Sequence, residues 1–161
     1  MKIIYSKKEL INFIKLQKNL GFVPTMGAIH KGHISLVKKS IIQSSKTIVS
    51  IFVNKPQFNK KNDFLKYPSN LEKDISILRK LKVNYLYLPS SNQIYPNGPN
   101  NNIKIDSFSK KLCGKNRPGH FKAVIDVVDK FIKIIKPKKI FLGKKDMQQL
   151  KLIEHFVKKN Y

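Results

Sequence analysis

The sequence predicts a doubly wound α/β fold, a mainly parallel sheet with helices on both faces, and three observations carry that prediction. Four short runs, Gly21 to Pro24, Thr47 to Val53, Val83 to Leu88 and Lys139 to Leu142, are apolar and rich in β-branched or aromatic residues, the pattern of strands buried on both faces. Helical patterns separate most of them, so the order along the chain is β-α-β. The 161 residues, 41% of them apolar, suffice for one domain, because a domain of this size buries about two-thirds of its unfolded surface.

Each helix has its own signal. Ser6-Lys-Lys-Glu9 and Ser69-Asn-Leu-Glu72 both carry the Ser-x-x-Glu spacing in which the serine accepts from a free amide and the glutamate reaches back, so each predicts a helix start. Leu71, Ile75 and Leu78 then form an apolar stripe. An apolar helix is expected from near Ile34. From Pro118, a residue suited to a first turn, Val124, Val127, Val128, Phe131, Ile134 and Ile135 recur at three and four residues, a core-facing helix that ends before Pro137. Ser90 to Ser109, with Pro96, Gly98, Pro99 and three consecutive asparagines, reads as a surface excursion. No internal repeat is present.

Composition excludes several classes of function. No run of 18 apolar residues is long enough to span a membrane, and the first twenty residues lack a signal peptide's apolar centre, so the expectation is a cytoplasmic protein without a membrane partner. A single cysteine, Cys113, forms neither an internal disulfide nor a thiolate metal cluster. The net charge of +24 suggests a polyanion partner at first sight. Against nucleic acid stand the presence of only two arginines, Arg79 and Arg117, and lysines spread along the whole chain. Lys, Asn and Ile are abundant together, as AT-rich coding produces. A solvated basic surface is the plainer reading.

Chemistry concentrates in Pro24-Thr-Met-Gly-Ala-Ile-His-Lys-Gly-His33, between a strand and a helix. Its glycines let backbone approach a ligand, and the helix start beyond it offers unpaired amides and a positive dipole end to a phosphate. His30 and His33, three apart, share one helical face. Two structural histidines or a metal pair are the plain alternatives; no third ligand follows at metal spacing, so no metal site is expected. Asn54 and Gln57 lie past the second apolar strand, where an open sheet keeps its ligands. Gly143, Lys145 and Asp146 follow the last strand at a helix start, where Lys145 can reach phosphate and Asp146 can either cap the helix or contact ribose.

Thr25-Met-Gly-Ala-Ile-His-Lys-Gly-His33 resembles the His-x-Gly-His signature of Rossmann-like nucleotidyltransferases, and its flanks resemble the pantothenate synthetase family. Ser50-Ile-Phe-Val-Asn-Lys-Pro-Gln-Phe58, Ile94-Tyr-Pro96, Arg117-Pro-Gly-His-Phe121 and Gly143-Lys-Lys-Asp-Met-Gln-Gln-Leu150 are similar to further motifs of that family, in the same order. The resemblance implies that pantoate attacks ATP, with magnesium, to form pantoyl adenylate and pyrophosphate, and that β-alanine then displaces AMP. It implies ATP contacts at Met26, Gly27, His30, Gly32, His33, Gly143, Lys145 and Asp146, with His30, His33 and Lys145 catalytic. Pantoate or β-alanine would lie at Asn54, Gln57 and Gln149. His120 is expected to be structural or to support the site, and the family suggests a homodimer.

Some positions depart from the family pattern. Lys55-Pro56 reverses the usual order, Ser69 stands for Arg, and Gln93, Lys144 and Cys113 stand for Glu, changes that remove negative charge near a metal-bound polyphosphate. The chain stops at Tyr161 in an amphipathic helix. The resemblance covers an amino-terminal half only, without the carboxyl-terminal domain whose Ser-Ser-Arg loop closes over ATP. The 161 residues alone are therefore expected to be weakly active or inactive; a remnant that binds nucleotide without catalysis, and a basic nucleic-acid module, are the rival readings.

Overall fold

The computed structural model describes every residue from Met1 to Tyr161. Five strands, β1 (Lys2–Ile4), β2 (Leu20–Thr25), β3 (Lys46–Ile51), β4 (Tyr85–Tyr87) and β5 (Lys139–Ile140), form one all-parallel sheet in the order β1-β4-β3-β2-β5. Seven α-helices accompany them: α1 (Lys7–Ile14), α2 (Lys31–Gln43), α3 (Lys61–Leu65), α4 (Leu71–Lys80), α5 (Ser91–Ile94), α6 (His120–Ile135) and α7 (Met147–Asn160). The four expected strands are all present. β1 is one the pattern does not announce, because Ile3 and Ile4 are too few to make a run.

Alternation along the strands divides the core in two. Ile4, Phe22, Ile48, Tyr87 and Ile140 point to one face, packed with α1, α6 and α7. Their neighbours Ile3, Val23, Val49, Leu86 and Phe141 point to the other, packed with α2 and α4. Both faces of the sheet are thus covered. This is why the strands read as continuous apolar runs instead of alternating ones.

Helix starts differ from the sequence expectation in four places. At α1 the expected Ser6 occupies the cap position, but its side chain makes no capping bond; the Lys7 amide donates instead to Gln93 Oε1 at 2.7 Å. At α4 the cap is Asn70, not Ser69, its Oδ1 accepting from the Lys73 amide at 3.0 Å. Helix α2 starts at Lys31, three residues before Ile34, because His30 Nδ1 accepts from the Gly32 amide at 3.0 Å and closes the end. Helix α6 starts at His120 after the left-handed Gly119, leaving Pro118 outside the first turn.

The excursion expected over Ser90 to Ser109 opens with α5 and is then tied to the domain on either side. The Asn100 amide donates to Asp126 Oδ2 at 2.9 Å, and Gln148 Nε2 donates to Phe108 O and Lys111 O at 2.8 and 2.6 Å. No helix is long and apolar enough to cross a membrane.

Candidate active site

From β2 the chain moves through β3 to β4 on one side, then returns to β5 on the other side of β2. The winding direction therefore reverses beside β2, and the loops after β3, β2 and β5 open side by side at the carboxyl edge, the ligand position of open α/β sheets. Those three loops carry Met26 to His33, Asn54 to Gln57 and Gly143 to Asp146.

The β2 loop is built around two left-handed residues, Gly27 at φ 87° and Ala28 at φ 51°. Glycine is required at 27: a Cβ there would adopt a costly φ and stand 3.0 Å from Asp74 Oδ2. Asp74, on α4 and only 3% exposed, accepts from the amides of Ala28 (2.9 Å) and Ile29 (2.8 Å) through its two oxygens. Thr25 Oγ1 accepts from the Gly27 amide and donates to Ser50 O, fastening the turn to β3.

Beyond the turn His30 and His33 stack, ring centroids 4.1 Å apart and 34° from parallel. Because His30 Nδ1 accepts from Gly32, the neutral ring carries its proton on Nε2. Gly32 has a packing reason: a Cβ would stand 2.9 Å from His30 Cε1, so only glycine lets the ring fold over the helix end. Backbone approach to a ligand, the sequence reading, is not needed to explain it. His33 Nδ1 is buried without a protein partner, so no hydrogen bond from the fold pins that nitrogen. Burial, then the neighbouring His30, push the His33 ionisation below its ordinary value, and Asp74 partly opposes them. No acidic residue lies in the first turn of α2 or of α7. The start of α2 presents an uncompensated positive end, suited to an anion, whereas the start of α7 has the Asp146 carboxyl at its cap position.

The β3 loop is joined directly to this turn. Gln57 Nε2 donates to Met26 Sδ at 3.0 Å. Asn54, 1% exposed, donates from Nδ2 to Gln57 Oε1 (3.1 Å) and Ala123 O (3.2 Å), and its Oδ1 accepts from Tyr95 Oη (2.7 Å). Asn54 has therefore committed both amide hydrogens inside the protein, which makes it a holder of Gln57 more than a ligand group. His120 holds Gln57 from the other side, its Nδ1 2.9 Å from Gln57 O. Burial lowers the His120 ionisation first of all, and Arg117 adds to that, while the Gln57 carbonyl and Asp146 raise it. Asp146 thus belongs to the same neighbourhood.

Met26, Asn54 and Gln57 are brought into one bonded set, with His30, Gly32 and His33 following on α2. Gly143 and Lys145 are exposed at the neighbouring strand end, Asp146 occupies the α7 cap position without a side-chain cap bond, and Gln149 is half-buried in the first turn of α7. The structure bonds none of these four to the histidine pair. Gln93, one of the departures from the family pattern, lies elsewhere: it joins Tyr5, Lys7 and Tyr87, donating to Tyr5 O at 2.7 Å through an amide hydrogen that a glutamate lacks. Sequence reasoning missed Asp74 and Tyr95. Asp74 had a readable signal, since it falls on the apolar stripe of Leu71, Ile75 and Leu78, where a carboxylate needs a reason.

A groove of about 920 Å³, lined by Leu36, Phe141, Ile153 and Tyr161 among others, runs along β5 and includes none of the histidine or β3-loop residues. Volume and chemistry disagree, and the converging loops and the unpaired start of α2 favour the strand edge. No group of three or more His, Cys, Asp and Glu side chains could hold a metal.

An open parallel sheet whose winding reverses beside β2, with the His30 to His33 turn at that point, defines the class, a Rossmann-like α/β domain. The chain belongs to the pantoate-beta-alanine ligase family, whose family model matches residues 2–161. It is 42% identical over 158 residues to a pantothenate synthetase of Pseudothermotoga lettingae, covering 98% of this chain and 56% of the relative. A pantothenate synthetase of Francisella tularensis subsp. novicida is 48% identical over 150 residues, covering 91% and 57% respectively.

Two crystal structures are similar throughout this chain. Pantoate-beta-alanine ligase from Francisella tularensis, complexed with beta-gamma ATP and beta-alanine, superposes with a TM-score of 0.91 at 43% identity, over 99% of this chain and 62% of that one. Pantothenate synthetase from Thermus thermophilus gives 0.93 at 32% identity, over 99% and 58%. The chain thus spans little more than half the length of these relatives.

Proposed function

We propose that residues 1–161 form the nucleotide-binding domain of an ATP-dependent ligase that condenses pantoate with β-alanine in the cytoplasm, as a homodimer, on the route to coenzyme A. One observation carries this reading: the bonded set Met26–Gln57–Asn54 joins the β2 and β3 loops at the edge where the stacked His30 and His33 begin α2. Family membership and the ligands named for the Francisella structure support it.

In this reading the His30 Nε2–H, His33 and Lys145 receive the phosphates of ATP, and the α2 amides add their dipole. Met26, Gly27, Gly32 and Gly143 shape the nucleotide pocket, and Asp146 contacts ribose. Gln57 retains one amide hydrogen and one lone pair for pantoate and β-alanine, and Gln149 adds a second amide for pantoate. The pantoate carboxylate attacks the α-phosphorus and pyrophosphate leaves. The β-alanine amine then attacks the pantoyl carbonyl and AMP leaves. Magnesium enters with ATP, its usual manner where a protein offers few carboxylates.

Pyrophosphate release from ATP and magnesium, with and without pantoate, tests this. Release that depends on pantoate, at any rate above the pantoate-free background, is the expected result. ATP binding without such release reduces the chain to a nucleotide-binding module, and salt-dependent duplex binding with neither supports the basic-module reading.

A further inference from the structure

The charge of Asp74 is unusual in its setting. It is buried on α4, no lysine or arginine pairs with it, and its hydrogen bonds go to the consecutive amides of Ala28 and Ile29. Because each amide meets a different terminal atom of the side chain, both of those atoms must be oxygen. An asparagine would turn an NH2 toward one of the amides. A left-handed pair, Gly27 and Ala28, lies directly before or within this clamp, and the non-glycine Ala28 at φ 51° carries a cost that something must offset.

We infer that Asp74 is a positioning residue of the nucleotide site: from α4 it clamps the left-handed Gly27–Ile29 turn that leads into the histidine pair. This inference rests on the ligase reading for the identity of the ligand but not for the clamp. The groups acting on His33 are His30 from the cap of α2 and Asp74 from α4; Asp74 also acts on Tyr67, whose hydroxyl ionisation is raised by burial and then by that carboxylate. Of the two, Asp74 is the one that favours the protonated His33 ring, whereas His30 opposes it. It is thus the group that offsets the charge His33 acquires when it protonates against a phosphate, and it holds the turn that aims the histidine pair.

The test uses Asp74→Asn and Asp74→Glu beside the unaltered chain, with the histidine ring protons followed by NMR across pH 5–8 and His33 assigned through His33→Gln. Without nucleotide, D74N is expected to lower the His33 midpoint, whereas D74E, which keeps the charge but displaces it by one methylene, keeps the midpoint nearer that of the parent. With nucleotide, calorimetry on ATP with magnesium is expected to show about tenfold weaker binding by D74N. An unchanged His33 midpoint in D74N overturns the inference even if binding or melting temperature falls, since a purely structural cap predicts that pattern. If D74N does not fold, D74E decides alone: its longer side chain cannot meet both amides as Asp74 does, so ATP affinity equal to the parent's would overturn the clamp. If the parent chain itself fails to bind ATP, the ligase reading fails, while the ligand-free titration still decides the role of Asp74.

Discussion

His30 and His33 lie with ring centroids 4.1 Å apart and planes tilted by 34°, so His33 feels the neighbouring His30 ring directly. Burial, reinforced by His30, lowers the His33 ionisation, and burial also leads the lowering at His120. The ordinary value is 6.5. A histidine whose folded value is depressed binds protons less readily than in the unfolded chain, so the unfolded state gains protons first as pH falls. Stability is therefore complete above about pH 6.5 and is lost as pH falls below it. Melting temperatures between pH 8 and 5 should decline with acid, and His33→Gln should make the decline shallower. A flat profile between pH 7 and 5 would remove this account of the pair.

Gly32 is replaceable for folding but not for aiming His30. In Gly32→Ala the new Cβ meets the His30 ring, a movable side-chain end, at 2.9 Å, and drives it from its cap. Losing a cap costs about 1 kcal/mol, while alanine within a helix regains up to about 1 kcal/mol over glycine, so the two nearly cancel. The melting temperature should move by only a few degrees and ATP affinity should drop about tenfold. Unimpaired ATP binding by this variant would show that the His30 cap geometry is not used.

Tyr95 acts on the Gln57 amide through Asn54. Burial, followed by Asp126, raises the Tyr95 ionisation, so the hydroxyl stays protonated and donates to Asn54 Oδ1. Tyr95→Phe leaves that buried oxygen without its donor, at a cost of about 1–2 kcal/mol. Asn54→Ala also frees Gln57 and should cost more. Thermal denaturation measures both, and the accompanying binding pattern is selective: pantoate binding weakens while ATP binding holds. Equal weakening of both ligands would point to general loosening of the domain.

The sheet was legible because burial on both faces forces continuous apolar strands, and α6 because Val124 to Ile135 keep strict helical spacing. β1 was not, since three residues are ordered by pairing with β4 and not by their own pattern. The cap at Asn70 was displaced by one residue because Ser69 and Asn70 both suit the position and only backbone geometry chooses between them. At the site, the histidines and Gln57 were visible as motif residues. What holds them was not: Asp74 meets Ala28 across 46 positions of sequence, and Tyr95 meets Asn54 across 41. Such contacts exist only after the sheet has brought β2, β3 and the helices beyond them together.

Lys145 separates function from stability more cleanly than any other residue of the candidate site. It is exposed just before α7, forms no ion pair, and precedes a helix with no acidic first-turn residue to neutralise. Removing an exposed, unpaired charge changes stability by no more than about 0.5 kcal/mol. A cation that stabilises charge developing on a transferred phosphoryl group is worth far more, because its contribution arises in the transition state: loss of one such group costs about 100-fold or more in rate. Lys145→Ala should therefore melt with the parent, bind pantoate as the parent does, and release pyrophosphate about 100-fold more slowly. Lys145→Arg, which keeps the charge on a bulkier group, should recover part of the rate. If the alanine variant releases pyrophosphate at the parental rate, the loop after β5 contributes no phosphate contact, and the catalytic charge must come from the histidine pair and the start of α2.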